Sequence, residues 1–278
     1  MSDASDGAIA GAVRGAFCEG GMAMVFQPKI RLADGTLNSV EALLRWTDPA
    51  LAAIGTERLV GIAEREGLIE ELTRWGLRTT LLQWREWRAQ GLDTRVAFNI
   101  SAMSLGRLDF PDLVEAMCRE HEVPAEKLLI ELTEGATQPL VNLLDTLCRF
   151  RIKGIALALD DFGTGYSSLM QLHQLPFTEV KIDRSFIRDV GRSEDSRLIA
   201  RTIVDLAHGL GMTVTAEGIE TAEQLALLRG LGCDLGQGYW IAPPMPAAEL
   251  EPWKRGFESR WDGSEGLALW SERETPMP

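Results

Sequence analysis

Residues 155–169 read IALALDDFGTGYSSL. The run from Ile155 to Leu159 is unbroken and apolar, the pattern of a strand buried on both faces, as strands are in a parallel sheet covered by helices. Two adjacent carboxylates, Asp160 and Asp161, follow, and then a loop with two glycines and several hydroxyl side chains. Adjacent unpaired carboxylates repel and raise each other's pKa, and a divalent cation removes that repulsion. The alternative is a strand end with two solvated acids, one of them capping the next helix. Acids at the other strand ends of the chain decide between the two.

Outward from this stretch, strand-like and helix-like segments alternate. Residues 22–30 (MAMVFQPKI) and 38–46 (NSVEALLRW) read as strands around an Ala33-Asp34-Gly35 turn, close enough to form an antiparallel hairpin. Helical patterns follow at 57–65 and at 69–90, the second with Leu72, Trp75, Leu82 and Trp87 among its apolar positions. Then strands at 95–100, 127–132, 155–159, 179–182, 213–216 and 235–239 alternate with helices at 110–121, 139–151, 167–174, 195–210 and 221–231, and a last helix is expected over 247–257. Such alternation implies a largely parallel sheet. About eight strands over roughly 250 residues suit a closed, TIM-like (β/α)₈ barrel better than an open doubly wound sheet. One barrel domain is expected over 22–260, with a lead-in helix in 1–21 and a loosely held Gly-, Glu- and Pro-rich tail at 261–278.

Of the 278 residues 45% are hydrophobic, enough for a full core, and acids outnumber bases 41 to 28, for a net charge of −13. That balance argues against binding a nucleic-acid polymer, which needs a basic face. A small anionic ligand is still compatible, since metals and a few arginines reverse the local field. Cys18, Cys118, Cys148 and Cys233 form no C-x-x-C pair and read as free thiols of a reducing, cytoplasmic compartment. His121, His173 and His208 share no metal-ligand spacing. The N-terminus lacks the pattern of a signal peptide, and no apolar run approaches the roughly 20 residues of a membrane span.

In a (β/α)₈ barrel the active site lies at the C-terminal ends of the strands. Those ends carry Glu41 and Arg45, Asn99 of FNISA, Glu131 and Glu134 of ELTE, Asp160 and Asp161, Lys181 and Asp183 of KID, Glu217 and Glu220 of AEGIE, and Gln237 of GQGYW. Any one of them is explained as a helix cap or a solvated edge, and ELTE is also a capping pattern. Recurrence round the whole ring points to a site. Oxygen ligands without histidine suit Mg²⁺ or Mn²⁺ rather than zinc, and the carboxylates suffice for two ions with one bridging ligand.

These residues carry a family resemblance. Glu41-Ala42-Leu43 within EALLRW, Phe26-Gln27-Pro28, ELTE, DDFGTGYSSL (160–169), VKID (180–183), AEGIE and QGY (237–239) are similar, in the same order, to the motifs of the EAL domain, the cyclic-di-GMP phosphodiesterase domain of bacterial signalling. The match runs from about Phe26 to Met245. The resemblance implies hydrolysis of cyclic-di-GMP to linear pGpG with two Mg²⁺ or Mn²⁺ ions per site and inhibition by Ca²⁺. It implies that Glu41, Asn99, Glu131 and Asp160 hold one metal, and that Asp160 bridges to a second held also by Asp161 and Glu217. On the same resemblance Lys181 would sit beside the attacking water as base or orienting group. Gln27, Leu43, Arg45 and Gln237 would contact the ligand, Arg45 at a phosphate. Glu134 would anchor the loop that begins at Phe162, and Glu220 would support the second-metal side together with Gln237. A homodimer is expected through the segment after the paired aspartates, where Tyr166, Leu169 and Met170 are of exposed apolar type.

Two departures stand out. Thr178 occupies a position where the family often has an acid, and Pro243 one where it commonly has a basic residue. Neither is a metal ligand in the pattern. The competing readings are a receptor that binds cyclic-di-GMP without cleaving it and signals to a partner, and a metal-dependent lyase or isomerase on another barrel. No sensor domain fits before residue 22, so any regulatory domain or protein is expected outside this chain.

Overall fold

The computed structural model describes residues 6–133, 140–163 and 169–261. In order these form α1 (Asp6–Glu19), β1 (Met22–Arg31), β2 (Leu37–Trp46), α2 (Pro49–Ala52), α3 (Thr56–Arg65), α4 (Ile69–Ala89) and β3 (Arg95–Asn99). Next come α5 (Phe110–Glu120), β4 (Leu128–Thr133), α6 (Leu140–Ile152), β5 (Ala156–Phe162), α7 (Leu169–Gln174), β6 (Glu179–Ile182) and α8 (Arg184–Arg188). The chain ends with α9 (Glu194–Gly209), β7 (Thr213–Ala216), α10 (Ala222–Gly230), β8 (Leu235–Gly236) and α11 (Leu250–Glu258).

The eight strands close into a ring in sequence order, and β8 returns to pair with β1. β1 runs antiparallel to both of its neighbours, while every pair from β2–β3 to β7–β8 is parallel. The inversion follows from the short link between β1 and β2, which can join only antiparallel neighbours. Asp34 shapes that link: its Oδ1 accepts from the Thr36 backbone N–H and hydroxyl at 3.0 and 2.6 Å, and Gly35 beside it takes φ 70°. This is the hairpin expected from the sequence, placed inside the expected barrel.

Alternation along each strand sorts the side chains. Val96, Leu128, Ile130, Leu157, Val180, Ile182 and Val214 point outward into the main core between ring and helices. Ala97, Leu129, Ala156 and Ala158 form a small apolar cluster of their own on the inner face. A third group, with Ile9, Val13, Trp46, Leu59 and Ile62, packs α1 against α3 and the end of β2. In α4, Leu72 and Trp87 are buried as expected, whereas Trp75 and Leu82 are only partly covered and Trp84 takes a core place instead.

Among the described residues three boundaries differ from expectation by more than one residue. The strand read as 155–159 continues to Phe162, so the paired aspartates lie within β5. Asp160 pairs with Thr133 of β4, and the register against β6 shifts between Leu159 and Phe162. Asp161 takes φ 55° and its N–H donates to Asp160 Oδ1 at 2.9 Å. The strand therefore bulges where a regular ladder would have ended. β8 is shorter than the expected 235–239: the Gln237 N–H still donates to Ala216 O of β7 at 2.9 Å, but its carbonyl turns to accept from the Ile219 N–H at 3.1 Å. The last helix, expected over 247–257, begins as a 3₁₀ turn at Ala247–Glu249 before α11. The short helices α2 and α8 escaped the sequence reading; each is capped by an aspartate, Asp48 or Asp183. Thr178 pins β5 to the entry of β6, its hydroxyl donating to Leu157 O at 2.9 Å. The expected tail from 262 onward lies outside the described residues.

Candidate active site

The inner ends of the strands converge on one lysine. Lys181 of β6 is fully buried, and its Nζ donates to Glu131 Oε2 of β4 at 2.9 Å and Asp160 Oδ2 of β5 at 3.0 Å. The same Nζ lies 2.7 Å from Glu217 Oε1, just after β7, and 3.6 Å from Glu41 Oε2 of β2. Glu41, Glu131 and Asp160 each bring an oxygen to within 4.8 Å of the others, and so do Asp160, Asp161 and Glu217. Two carboxylate triads thus share Asp160. In a regular strand consecutive side chains point to opposite faces. The bulge at Asp161 is what lets two successive aspartates reach the same site.

So many acids in a buried space perturb one another. Burial pushes the Glu41 carboxyl up. Burial, with Asp160 and Asp183 nearby, pushes Asp161 up to about 6, and burial pushes Glu217 up to about 8 despite Lys181 beside it. Glu131 goes the other way: burial acts to raise it, but Lys181 and Lys29 hold it down at about 2. Burial acts to lower Lys181, yet Glu131, Glu217, Glu41 and Asp160 keep it well above the ordinary lysine range. Glu41, Asp161 and Glu217 thus resist ionisation, a cost that a divalent cation relieves. The donors are all oxygens, which fits a hard cation.

The amides complete the ring. Asn99 Nδ2 donates to Glu41 Oε1 at 2.6 Å, and Gln237 Nε2 donates to Glu41 Oε2 at 2.7 Å and to Gln27 Oε1 at 3.0 Å. Gln27 Nε2 in turn donates to Ala242 O at 3.0 Å. Among the described residues Gln237 Oε1 is buried with no hydrogen-bond partner, an acceptor that a ligand could use. Leu43, Arg45 and Asn99 line a cavity of about 610 Å³ whose far side is α3 and α4. Arg45 is exposed at its edge, Nη1 donating to Leu44 O at 2.9 Å.

The structure thus brings together Gln27, Glu41, Asn99, Glu131, Asp160, Asp161, Lys181, Glu217 and Gln237. Glu220 is exposed, and its backbone N–H donates to Gln224 Oε1 at 2.7 Å beside the capping box of α10. Asp183 caps α8 through the Ser185 N–H at 2.9 Å. Glu134 and Tyr166 lie outside the described residues, as do the side chains of Leu169 and Met170.

Sequence reading missed a second buried lysine. Lys29 Nζ lies 2.7 Å from Glu179 Oε1 and 3.1 Å from Glu131 Oε1, and the Thr215 hydroxyl donates to the same Glu179 oxygen at 2.6 Å. The signal was the period of two: Lys29 follows Gln27 on one face of β1, and Glu179 precedes Lys181 on one face of β6.

Ring and site together define a (β/α)₈ barrel with a carboxylate-lined centre suited to divalent metal. The chain belongs to the EAL domain family, whose sequence profile matches residues 10–244. It is 40% identical over 244 residues to the cyclic di-GMP phosphodiesterase NbdA of Pseudomonas aeruginosa, covering 87% of this chain and 31% of that protein. It is 38% identical over 238 residues to the cyclic di-GMP phosphodiesterase PA2567 of the same organism, covering 85% of this chain and 40% of that protein. The chain therefore spans less than half the length of either relative. The structure of the PaMucR phosphodiesterase in complex with c-di-GMP superposes with a TM-score of 0.80 at 34% identity, over 87% of this chain and 99% of that one. Among the described residues no helix is long and apolar enough to cross a membrane.

Proposed function

We propose that this domain hydrolyses cyclic-di-GMP to linear pGpG with two divalent cations, Mg²⁺ or Mn²⁺. The observation that carries the reading is the pair of carboxylate triads sharing Asp160 around a buried lysine. Relatives of 38–40% identity that are named for this activity support it. Glu41, Asn99, Glu131 and Asp160 would hold one cation, and Asp160, Asp161 and Glu217 the other. Cations held there would lower the pKa of a water and offset phosphoryl negative charge.

The chain's own residues do the rest. Gln27 and Gln237 hold the nucleotide over the site, the free Gln237 Oε1 accepting a hydrogen bond from it. Arg45, at the cavity edge, takes a phosphate oxygen with its planar guanidinium, and Leu43 packs against the ligand. Lys181 remains a cation while the acids around it are uncompensated. Were their charge offset by bound cations, the burial that acts to lower Lys181 would weigh more heavily. Its Nζ can then take the proton of the attacking water. Retention of both triads favours a hydrolase over a receptor that binds without cleaving. We place the domain in the cytoplasm, as a homodimer.

Incubation with cyclic-di-GMP, with and without Mg²⁺, followed by nucleotide chromatography tests the reading. pGpG should form only with the cation. Equal turnover in chelator overturns the two-cation mechanism, and no turnover with saturating Mg²⁺ overturns the activity.

A further inference from the structure

Beneath the candidate centre lies the second lysine, which the proposed mechanism does not use. Lys29 is fully buried, and it reaches two carboxylates on different strands: Glu179 Oε1 at 2.7 Å and Glu131 Oε1 at 3.1 Å. Ala97, Ala156 and Ala158, small side chains on the inner face, leave room for so long a group. Thr215 donates to the same Glu179 oxygen at 2.6 Å, so Lys29 is fixed from its far side by β6 and β7 together.

The two oxygens of Glu131 are thereby divided. Oε1 belongs to Lys29 below, and Oε2 faces Lys181 at 2.9 Å on the side of Asp160. A glutamate carboxylate unheld at one oxygen swings about its last torsion. Held by Lys29, it presents one oxygen to the centre in a fixed direction. Glu179 alone is enough to balance the charge of Lys29, so the bond to Glu131 is not required for neutrality.

We propose that Lys29 is a positioning residue: it fixes Glu131 so that Oε2 alone points into the Glu41/Glu131/Asp160 triad, and it thereby sets that triad's affinity for a divalent cation. The inference rests on the two-cation reading above. Partners that orient a metal-ligating carboxylate typically change metal affinity by about 10–100-fold when removed.

Lys29→Met alone strands Glu179 as a buried unpaired charge and can unfold the barrel. The test therefore uses Lys29→Met combined with Glu179→Gln, which removes both charges and keeps an acceptor for Thr215. Mn²⁺ is titrated into nucleotide-free protein, and free Mn²⁺ is read by electron paramagnetic resonance, with circular dichroism and a thermal melt to establish folding. Wild type should take up two ions per chain. The folded double variant should hold one ion as wild type does and the other about 10–100-fold more weakly. Its turnover of cyclic-di-GMP should recover at high Mn²⁺ with the nucleotide KM unchanged. Unchanged affinity at both sites overturns the role of Lys29 and leaves the metal reading standing. A double variant that fails to fold makes Lys29 a group of the core and also overturns it. Wild type that takes up no Mn²⁺ overturns the metal reading and this inference with it.

Discussion

Asp161→Asn should make the metal-free protein more stable and the metal-loaded protein less so. In the wild type, burial and the neighbouring Asp160 and Asp183 raise the Asp161 carboxyl from 3.8 to about 6. An acid whose folded pKa is raised binds its proton more tightly in the folded state, so its ionisation costs stability. That cost is absent below the unfolded value, grows as pH rises from 3.8 towards 6, and is complete above it. About two units correspond to roughly 3 kcal/mol for a fully desolvated group. Asp161 is half-buried, so solvent screening reduces this to about 1–1.5 kcal/mol. Asparagine tolerates a positive φ as aspartate does, which leaves the backbone at φ 55° undisturbed. At pH 8 in chelator the variant should melt about 2–6 °C above wild type, given about 2–4 °C per kcal/mol for a domain of this size. The gain should shrink to almost nothing at pH 4. With Mg²⁺ at about a hundred times its Kd, wild type gains about 2.7 kcal/mol at each site. The variant, short of a carboxylate in one triad, gains less, and the order of the two melting temperatures reverses. A variant no more stable than wild type in chelator at pH 8, or one stabilised by Mg²⁺ as strongly as wild type, refutes the crowded-carboxylate account of the site.

Other outcomes follow from the same geometry. Glu41→Ala should lower kcat by at least about a hundredfold with an unchanged circular dichroism spectrum, since this carboxylate anchors Asn99 and Gln237 and belongs to a triad rather than to the core; a normal kcat refutes its place in the centre. Ca²⁺ added to Mg²⁺-supported reactions should inhibit, because it prefers bonds of about 2.3–2.6 Å and more ligands than the compact oxygen set offers, and steady-state rates across a Ca²⁺ series check this. Gly238→Ala should cost about 3 kcal/mol or more in urea unfolding, because its Cβ would lie 2.2 Å from the Ile219 backbone N and O, and the resulting shift should move Gln237 and raise KM.

The sequence disclosed the barrel because its strand ends are marked twice. Runs such as 155–159 and 179–182 show buried strands, and each is followed by acids or amides that a core would not hold. The antiparallel start was legible from the short Ala33-Asp34-Gly35 link. The bulge was not. Two adjacent acids look like a strand that has ended, and only the backbone turn at Asp161 shows that the strand continues and that both carboxylates face inward. Lys29 was invisible for another reason. Lysine is ordinarily a surface residue, and its partner Glu179 lies 150 positions away in the chain. Lys181 was found because it sits at the end of its strand in VKID. Glu220 was singled out by its motif alone, and in the fold it is exposed beside a helix cap.

The cavity beside Asn99 has two kinds of wall. Its inner wall is the closed ring, where moving one strand moves its neighbours. Its outer wall includes Thr56, Glu57, Val60, Gly61 and Glu64 of α3, a helix whose buried side, Leu59 and Ile62, packs with Ile9 and Val13 of α1 rather than into the barrel core. Substitutions on the α1 side of that small cluster, at Ile9 or Val13, can tilt or shift α3 without touching the ring strands. The domain thus separates what must stay constant from what can drift: the carboxylate centre is tied to the most constrained part of the fold, while the shape of the adjoining chamber is free to diversify through residues that touch neither ligand nor metal.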